Sequence, residues 1–503
     1  MKGIINFGLL GIRRVFGGVM PPKPSIDKWV KEHMVFWYDM SKPVDTYSQN
    51  FNDWRPHPSV NADIIITSTS FVITRFATLN DTVKCYIPDQ TKNFPGMKVE
   101  VKGIVDGQEL YWGYSADVKL VNITSDGTYD IPPLGTVKGN LSFRNGNIAG
   151  ACNITITQLP SGQSVPTNEI LKANPYLQDH SGNNRPLKLN NFLFAAMSGV
   201  GGYEYNWLDS ALFITYLSGA RGNGTITDNT ITINNVKVSS GVIETRVNSP
   251  SKKYKVRVTG ITSNETLRYV VCGDTSLGEL ATIIFDMKKD GEYELPASTY
   301  SATYNMKWQV IAASYPHTCN ITIEQIPLYP NALVTDGVDD YGQIQNLQHG
   351  VKVLFTTINP FVDGKFIYDQ RLNTTEPWLF AVFNDKGSIA YNSRNSNGKT
   401  YIDGTLNEST IVSALLNKKQ IITIVNNDVT GDKTKTPVFF SNTDHDSGWI
   451  SSAFYNSIGF DSVPTKQNDG FTEQDLITWV IDNMINGTPQ SGVFPYVFPL
   501  KVN

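Results

Sequence analysis

The feature that most constrains this chain is a long internal duplication. MKVEVKGIVDGQELYWGYS from Met97 aligns with YKVRVTGITSNETLRYVVCG from Tyr254; Ser125-Asp126-Gly127-Thr128-Tyr129-Asp130-Ile131-Pro132 aligns with Asp290-Gly291-Glu292-Tyr293-Glu294-Leu295-Pro296; CNITITQLP from Cys152 aligns with CNITIEQIP from Cys319. The order is the same in both copies. The offset widens from 157 residues (98 to 255) to 164 (126 to 290) and 167 (152 to 319), as in a duplicated domain that has gained two small loop insertions. A period this long predicts two separate domains, because solenoid repeats run roughly 20 to 50 residues. The repeated segments are short, β-branched and bounded by Gly, Asn, Asp or Pro, which predicts β-sandwiches with strands near 64–67, 71–74, 98–101 and 153–157, and near 225–226, 230–233, 255–258 and 320–323.

Around the copies the sequence reads as one interrupted β-domain. Val35-Phe36-Trp37-Tyr38-Asp39 is a strand, Asp179-His180-Ser181-Gly182-Asn183-Asn184 is a turn, and NALVTDGVDDYGQIQ, 331–345, has two alternating segments flanking Asp336-Gly337 and Asp339-Asp340. The last predicts a hairpin, since Gly after Asp takes the positive φ of a tight turn. Further strands are expected at 351–358, 378–384, 400–403, 420–425 and 453–459. Leu187 to Met197 continues the core before Ser198-Gly199-Val200-Gly201-Gly202 breaks the pattern. A short helix is expected at Ile26 to His33. A closing helix is expected over Thr472 to Ile485, where Thr472 and Asp475 form a capping box and Leu476, Ile477, Val480, Ile481 and Met484 form one apolar stripe.

These signs resemble the laminin-G/concanavalin A-like lectin domain, in which an aromatic-aromatic-Asp strand, a D-x-S-G-N-x-N turn and an F-D-G-V-D-D-Y-V element follow one another. Here Thr335 stands in the place of the Phe, and Tyr401-Ile402-Asp403-Gly404 resembles the Y-x-D-G hairpin of those domains. The resemblance implies an all-β chain: a concanavalin-like β-sandwich core of 25–51, 165–211 and 327–503, interrupted by inserted β-sandwiches at 52–164 and 212–326, with one short C-terminal helix. The run Met197 to Tyr203, M-S-G-x-G-G-Y, and the run Ile323 to Leu333, I-E-Q-x-P-L-Y-P-N-A-L, together with the other signs, are similar to fibre and other structural proteins of phages infecting gut Bacteroidales, including crAss-like phages. That likeness covers about 168–345 well and the C-terminal part loosely. It implies a virion surface protein, a head or tail fibre or decoration protein, made in the host cytoplasm and presenting lectin-like modules to host glycans; a secreted or surface glycan-binding protein of a gut bacterium and a capsule depolymerase are the alternative readings.

Residues 1–24 are expected to form a docking arm and a Pro spacer. Ile4, Ile5, Phe7, Leu9, Leu10, Ile12, Val15 and Phe16 are the expected contacts with a capsid or tail protein; a frayed terminus and a secretion signal are the other readings. The apolar run is too short for a membrane span, and Arg13 and Arg14 interrupt it. A symmetric homo-oligomer, dimer or trimer, would let such arms act together. With Lys+Arg 42 against Asp+Glu 46 and no basic stripe, the chain lacks an electrostatic footprint for nucleic acid.

Hydrolases on concanavalin-like folds need two carboxyl groups roughly 5 Å apart on one strand face. The only imitation is Glu473-Gln474-Asp475, which reads as helix capping, so no enzyme is expected. No cofactor is expected beyond a possible Ca²⁺. Asp444 and Asp446, beside His445, are the candidate ligands, with a solvated turn as the bland alternative, and Asp336, Asp339 and Asp340 read as turn formers. Trp378, Trp449 and Tyr455 are candidate sugar-stacking residues or, equally, core. Cys85, Cys152, Cys272 and Cys319 lack any C-x-x-C pair and read as buried free thiols.

Overall fold

The computed structural model describes residues 25–48, 51, 62–67, 69–76, 93–115, 118–136, 141–148, 150–245, 253–272, 282–296, 305–347, 350–361, 366–370, 381–383, 389–390, 398–407, 416–425, 437–441 and 449–486. The chain is all-β, organised around three buried apolar clusters between sheets.

The first cluster lies between two large sheets. In one, Ser451–Phe460 is central: Val353–Pro360 pairs along one edge, and Leu333–Asp336 and Met34–Asp39 share the other. Gln420–Val425, Lys399–Ile402 and Thr405–Leu406 extend this sheet. The other sheet runs in the order Tyr176–Leu177, Leu187–Asn190, Tyr341–Ile344, Val438–Phe439, Phe366–Asp369, Ala381–Phe383, Ile389–Ala390. Leu354, Ile358, Ile422, Ile424 and Phe454 of the first sheet meet Leu187, Leu189, Ile344 and Phe439 of the second. The strand near the N-terminus is thus completed by one more than 400 residues later, and the Trp37 amide donates to Asp179 Oδ1 at 3.0 Å, tying the aromatic strand to the Asp-Ser-Gly-Asn turn. Asp179 also accepts from the amides of Ser181 (2.9 Å) and Arg185 (3.0 Å), which explains why that position carries a carboxylate.

The outer face of the first sheet is covered at one end by two helices. Ile26–His33 contributes Trp29 and Val30; Glu473–Val480 contributes Leu476, Ile477 and Val480. The capping box at Thr472 and Asp475 forms as expected, but the helix passes into a π-helical turn over Ile481–Ile485. A third, unexpected helix, Asn168–Ala173, is capped by Thr167. Asp403 and Gly404, at φ +49° and +81°, make the two-residue turn between Lys399–Ile402 and Thr405–Leu406.

One expectation is corrected. The segment 331–345 is not a hairpin: Leu333–Asp336 belongs to the first sheet and Tyr341–Ile344 to the second, so the chain arches across the sandwich. Leu333 and Ile344 both point into the same interior cluster, and two strands can do that from opposite sides only if each lies in its own sheet. The run 187–197 that continues the core holds the short strand Leu187–Asn190, followed by a loop in which Asn191, Phe194 and Ala196 take positive φ.

The two repeated segments have the same strand order. In the first, one sheet runs Ala62–Ile66, Ser70–Phe76, Gly150–Gln158, Met97–Lys102, Gly127–Ile131; in the second, Gly222–Ile226, Thr230–Val236, His317–Gln325, Tyr254–Thr259, Gly291–Leu295. The facing sheets share the orders Ser142–Asn145, Leu110–Ser115, Val118–Ile123 and Asn305–Ala312, Glu265–Cys272, Thr282–Met287. Individual bonds coincide too. The Ile104 amide donates to Asp126 Oδ1 at 2.7 Å and the Ile261 amide to Asp290 Oδ1 at 2.8 Å; Tyr129 and Tyr293 each donate a hydroxyl to a carbonyl four residues earlier; Cys152 and Cys319 are free thiols donating to the carbonyls of Ile73 and Ile233. The chain flanking each segment is paired: Val44–Thr46 with Gly162–Ser164, and Gly199–Val200 with Leu333 and Val334, prolonged by amides of Tyr329 and Leu328 donating to the carbonyls of Gly201 and Gly202.

Candidate functional site

The arch 336–340 closes one rim of the large sandwich, and its geometry follows from a buried carboxylate. Asp340 is fully buried; its Oδ1 accepts from Ser198 Oγ at 3.0 Å and its Oδ2 from the Asp336 amide at 3.0 Å. Ser198 Oγ in turn accepts from the Leu193 amide at 2.9 Å, so one carboxylate holds both the arch and the loop 191–198. Asp336 turns back on its own chain, accepting from the Val338 amide at 2.8 Å, and Gly337 takes φ +80°. Thr335, where the resemblance leads one to expect Phe, is buried as a polar clasp: its hydroxyl donates to the Ile450 carbonyl at 2.6 Å and accepts from the Ser452 amide at 3.1 Å.

Carboxylate oxygens of Asp336, Asp339 and Asp340 lie within 4.8 Å of one another. Burial pushes the Asp340 carboxyl up to about 7, with the charges of Asp336 and Asp339 adding to the rise while its hydrogen bonds with the Asp336 amide and Ser198 oppose it. Both oxygens of Asp340 are engaged by protein donors and one of Asp336 accepts within the turn, so the hydrogen bonds of the cluster serve the arch.

Of the residues singled out in the sequence, Ile4, Ile5, Phe7, Leu9, Leu10, Ile12, Val15 and Phe16, the pair Asp444 and Asp446, and Trp378 lie outside the described residues. Trp449 is half-buried just before Ser451, the partner of Asp336, and its indole N–H is buried with no hydrogen-bond partner. Tyr455 lies on the outer face of the first sheet, half-buried, with Lys419 Nζ 4.0 Å from its ring centroid. The structure joins Tyr455 to Met197, Tyr329 and Phe361 over a floor of Ala332, Val334 and Ala453.

Sequence reasoning missed Tyr329 and Phe361. Their neighbourhood with Tyr455 depends on a bulge, since Ile358 opposes Phe454 but Thr357 opposes Asn456, leaving Tyr455 as the extra residue. The carboxylates of the Glu473-Gln474-Asp475 run are both in structural use. Glu473 accepts from the Tyr401 hydroxyl and pairs with Lys399 at 3.0 Å, and Asp475 caps the helix.

Comparison with protein-family models and with curated proteins finds no match. Among solved structures the chain is compared with the coconut allergen cocosin (10% identity, covering 53% of this chain and 85% of that one, TM-score 0.13). Two others are procruciferin, the 11S globulin of Brassica napus (8%, 64% and 88%, 0.11), and the GH31 alpha-xylosidase of Xanthomonas citri (10%, 82% and 38%, 0.08). At these TM-scores the likenesses carry no argument about this chain.

Proposed function

We propose that this chain is a structural adhesion protein of a phage virion, a head or tail fibre or decoration protein. Its lectin-like core presents a glycan-contacting surface, and the repeated segments are two copies of one inserted β-sandwich. The observation that supports the reading is the pair of repeated segments whose five-stranded sheets have the same strand order, flanked by the paired strands Val44–Thr46 with Gly162–Ser164 and Gly199–Val200 with Leu333–Asp336. Repeating a β-sandwich adds surface, which is what a displayed protein needs. The best imitation of a hydrolase pair is consumed by helix capping and an ion pair. In this reading the apolar arm, 1–20, docks the protein to a capsid or tail component.

The test is mass spectrometry and immunogold microscopy of particles purified from a phage carrying this gene. Stoichiometric presence and labelling of a projecting appendage are expected; restriction of the protein to the lysate supernatant overturns the proposal. A version lacking residues 1–24 is expected to fold but to be missing from particles.

A further inference from the structure

The outer face of the first sheet is only partly covered. Beyond the helices, the strand Val353–Pro360 sends Thr357 and Asn359 outward, and Phe361 follows in the same alternation. Ala453 faces Asn359 from the neighbouring strand, and Tyr455 bulges out two positions on. On the other side of Asn359 the adjoining chain carries Lys419, one position before Gln420, the partner of Ile358. Tyr329 and Phe361 stand with ring centroids 4.7 Å apart at 31°.

Two features of this patch are not explained by folding. Asn359 is 9% exposed, and its Oδ1 is buried with no hydrogen-bond partner. A buried amide oxygen left without a donor costs about 1 to 3 kcal/mol, which a hydroxyl donating to it would recover. Lys419 is exposed and, among the described residues, is paired with no carboxylate; its ammonium rests on the Tyr455 ring. A ring face that attracts an ammonium also attracts the polarised C–H groups of a sugar face.

We propose that Tyr455, Tyr329, Phe361, Asn359 and Lys419 form a saccharide subsite. A pyranose stacks on the Tyr455 face, displacing the Lys419 ammonium sideways; a ring hydroxyl donates to Asn359 Oδ1, and Lys419 donates to a hydroxyl or carboxylate oxygen of the sugar. Tyr329 and Phe361 form the apolar wall that receives the next residue of an oligosaccharide. This deepens the glycan-contact part of the function proposed above and rests on it, but not on the virion setting.

The experiment is saturation-transfer NMR and calorimetry of the full chain with methyl pyranosides, methyl uronosides and their disaccharides, with sorbitol as a polyol that lacks a ring face. Pyranosides are expected to bind and sorbitol not. Tyr455→Ala is expected to weaken binding about tenfold. Asn359→Leu, which removes the unpartnered acceptor at similar volume, is expected to lose binding without lowering the unfolding midpoint, a combination that a purely structural asparagine would not produce. Lys419→Gln is expected to weaken uronosides more than neutral sugars. Binding that survives unchanged in Tyr455→Ala and Asn359→Leu refutes this subsite while leaving a glycan-binding core elsewhere. A wild-type chain that binds none of the sugars overturns the subsite and the adhesive reading together, and particle proteomics still decides the virion reading by itself. A change of oligomeric state in Tyr455→Ala, with no sugar bound by wild type, assigns the patch to a second copy instead.

Discussion

Replacing Asp340 with Asn tests whether a buried carboxyl that holds its proton organises the rim. In the folded protein this carboxyl titrates at about 7, against an ordinary 3.8. Between those two values the folded state binds the proton that the unfolded chain has released, so stability falls as pH rises through the window. Below it, the contribution is fully present. From pH 5 to pH 8 the loss assignable to Asp340 is about 2 to 3 kcal/mol.

The amide introduced by Asp340→Asn would keep the geometry. Its oxygen accepts from the Asp336 amide as the carboxylate does now, and its NH₂ group donates to Ser198 Oγ, reversing that bond, while Ser198 Oγ still accepts from the Leu193 amide. Urea unfolding of the core transition at both pH values, in wild type and Asp340→Asn, isolates the difference because the other titrating groups are common to the two proteins. The variant is expected to gain on wild type by about 2 to 3 kcal/mol on going from pH 5 to pH 8. Parallel profiles, or a wild type that gains with rising pH, would refute the reasoning.

Gly103 and Gly260 occupy the same place in the two modules, at φ +95° and +89°, and an added Cβ would sit 2.0 Å from the Asn153 carbonyl oxygen and 1.9 Å from that of Asn320. Gly103→Ala and Gly260→Ala are each expected to cost more than about 2 kcal/mol, measured as a lowered melting transition confined to one module. Trp112→Ala and Trp308→Ala empty fully buried sites in separate clusters and should each cost about 3 to 5 kcal/mol, with calorimetry resolving loss of one module while the other melts unchanged. Asp179→Ala leaves the amides of Trp37, Ser181 and Arg185 without their acceptor, so hydrogen exchange of the Trp37 amide should accelerate by at least about tenfold.

What the sequence determined by itself is whatever rests on short-range bonding or on repetition. The duplication was legible because Asp126 and Asp290, Tyr129 and Tyr293, and Gly103 and Gly260 meet the same backbone needs in both copies and so recur at a nearly constant offset. The capping box at Thr472 and Asp475 and the turn at Asp403-Gly404 were legible for the same reason, since each closes within four residues. Only the tertiary structure decided the rest. Whether 331–345 would fold back or arch across depended on Ser451–Phe460 and Val438–Phe439, strands roughly a hundred residues away that compete for its two halves. The face Tyr455 occupies depended on one bulge against Val353–Pro360, since strand side chains alternate and a single extra residue redirects those beyond it. The burial that raises Asp340 depended on Ser198 arriving from 142 residues upstream. Alternation and composition carry no record of which distant strand will sit alongside, and that neighbour sets face, burial and hence chemistry.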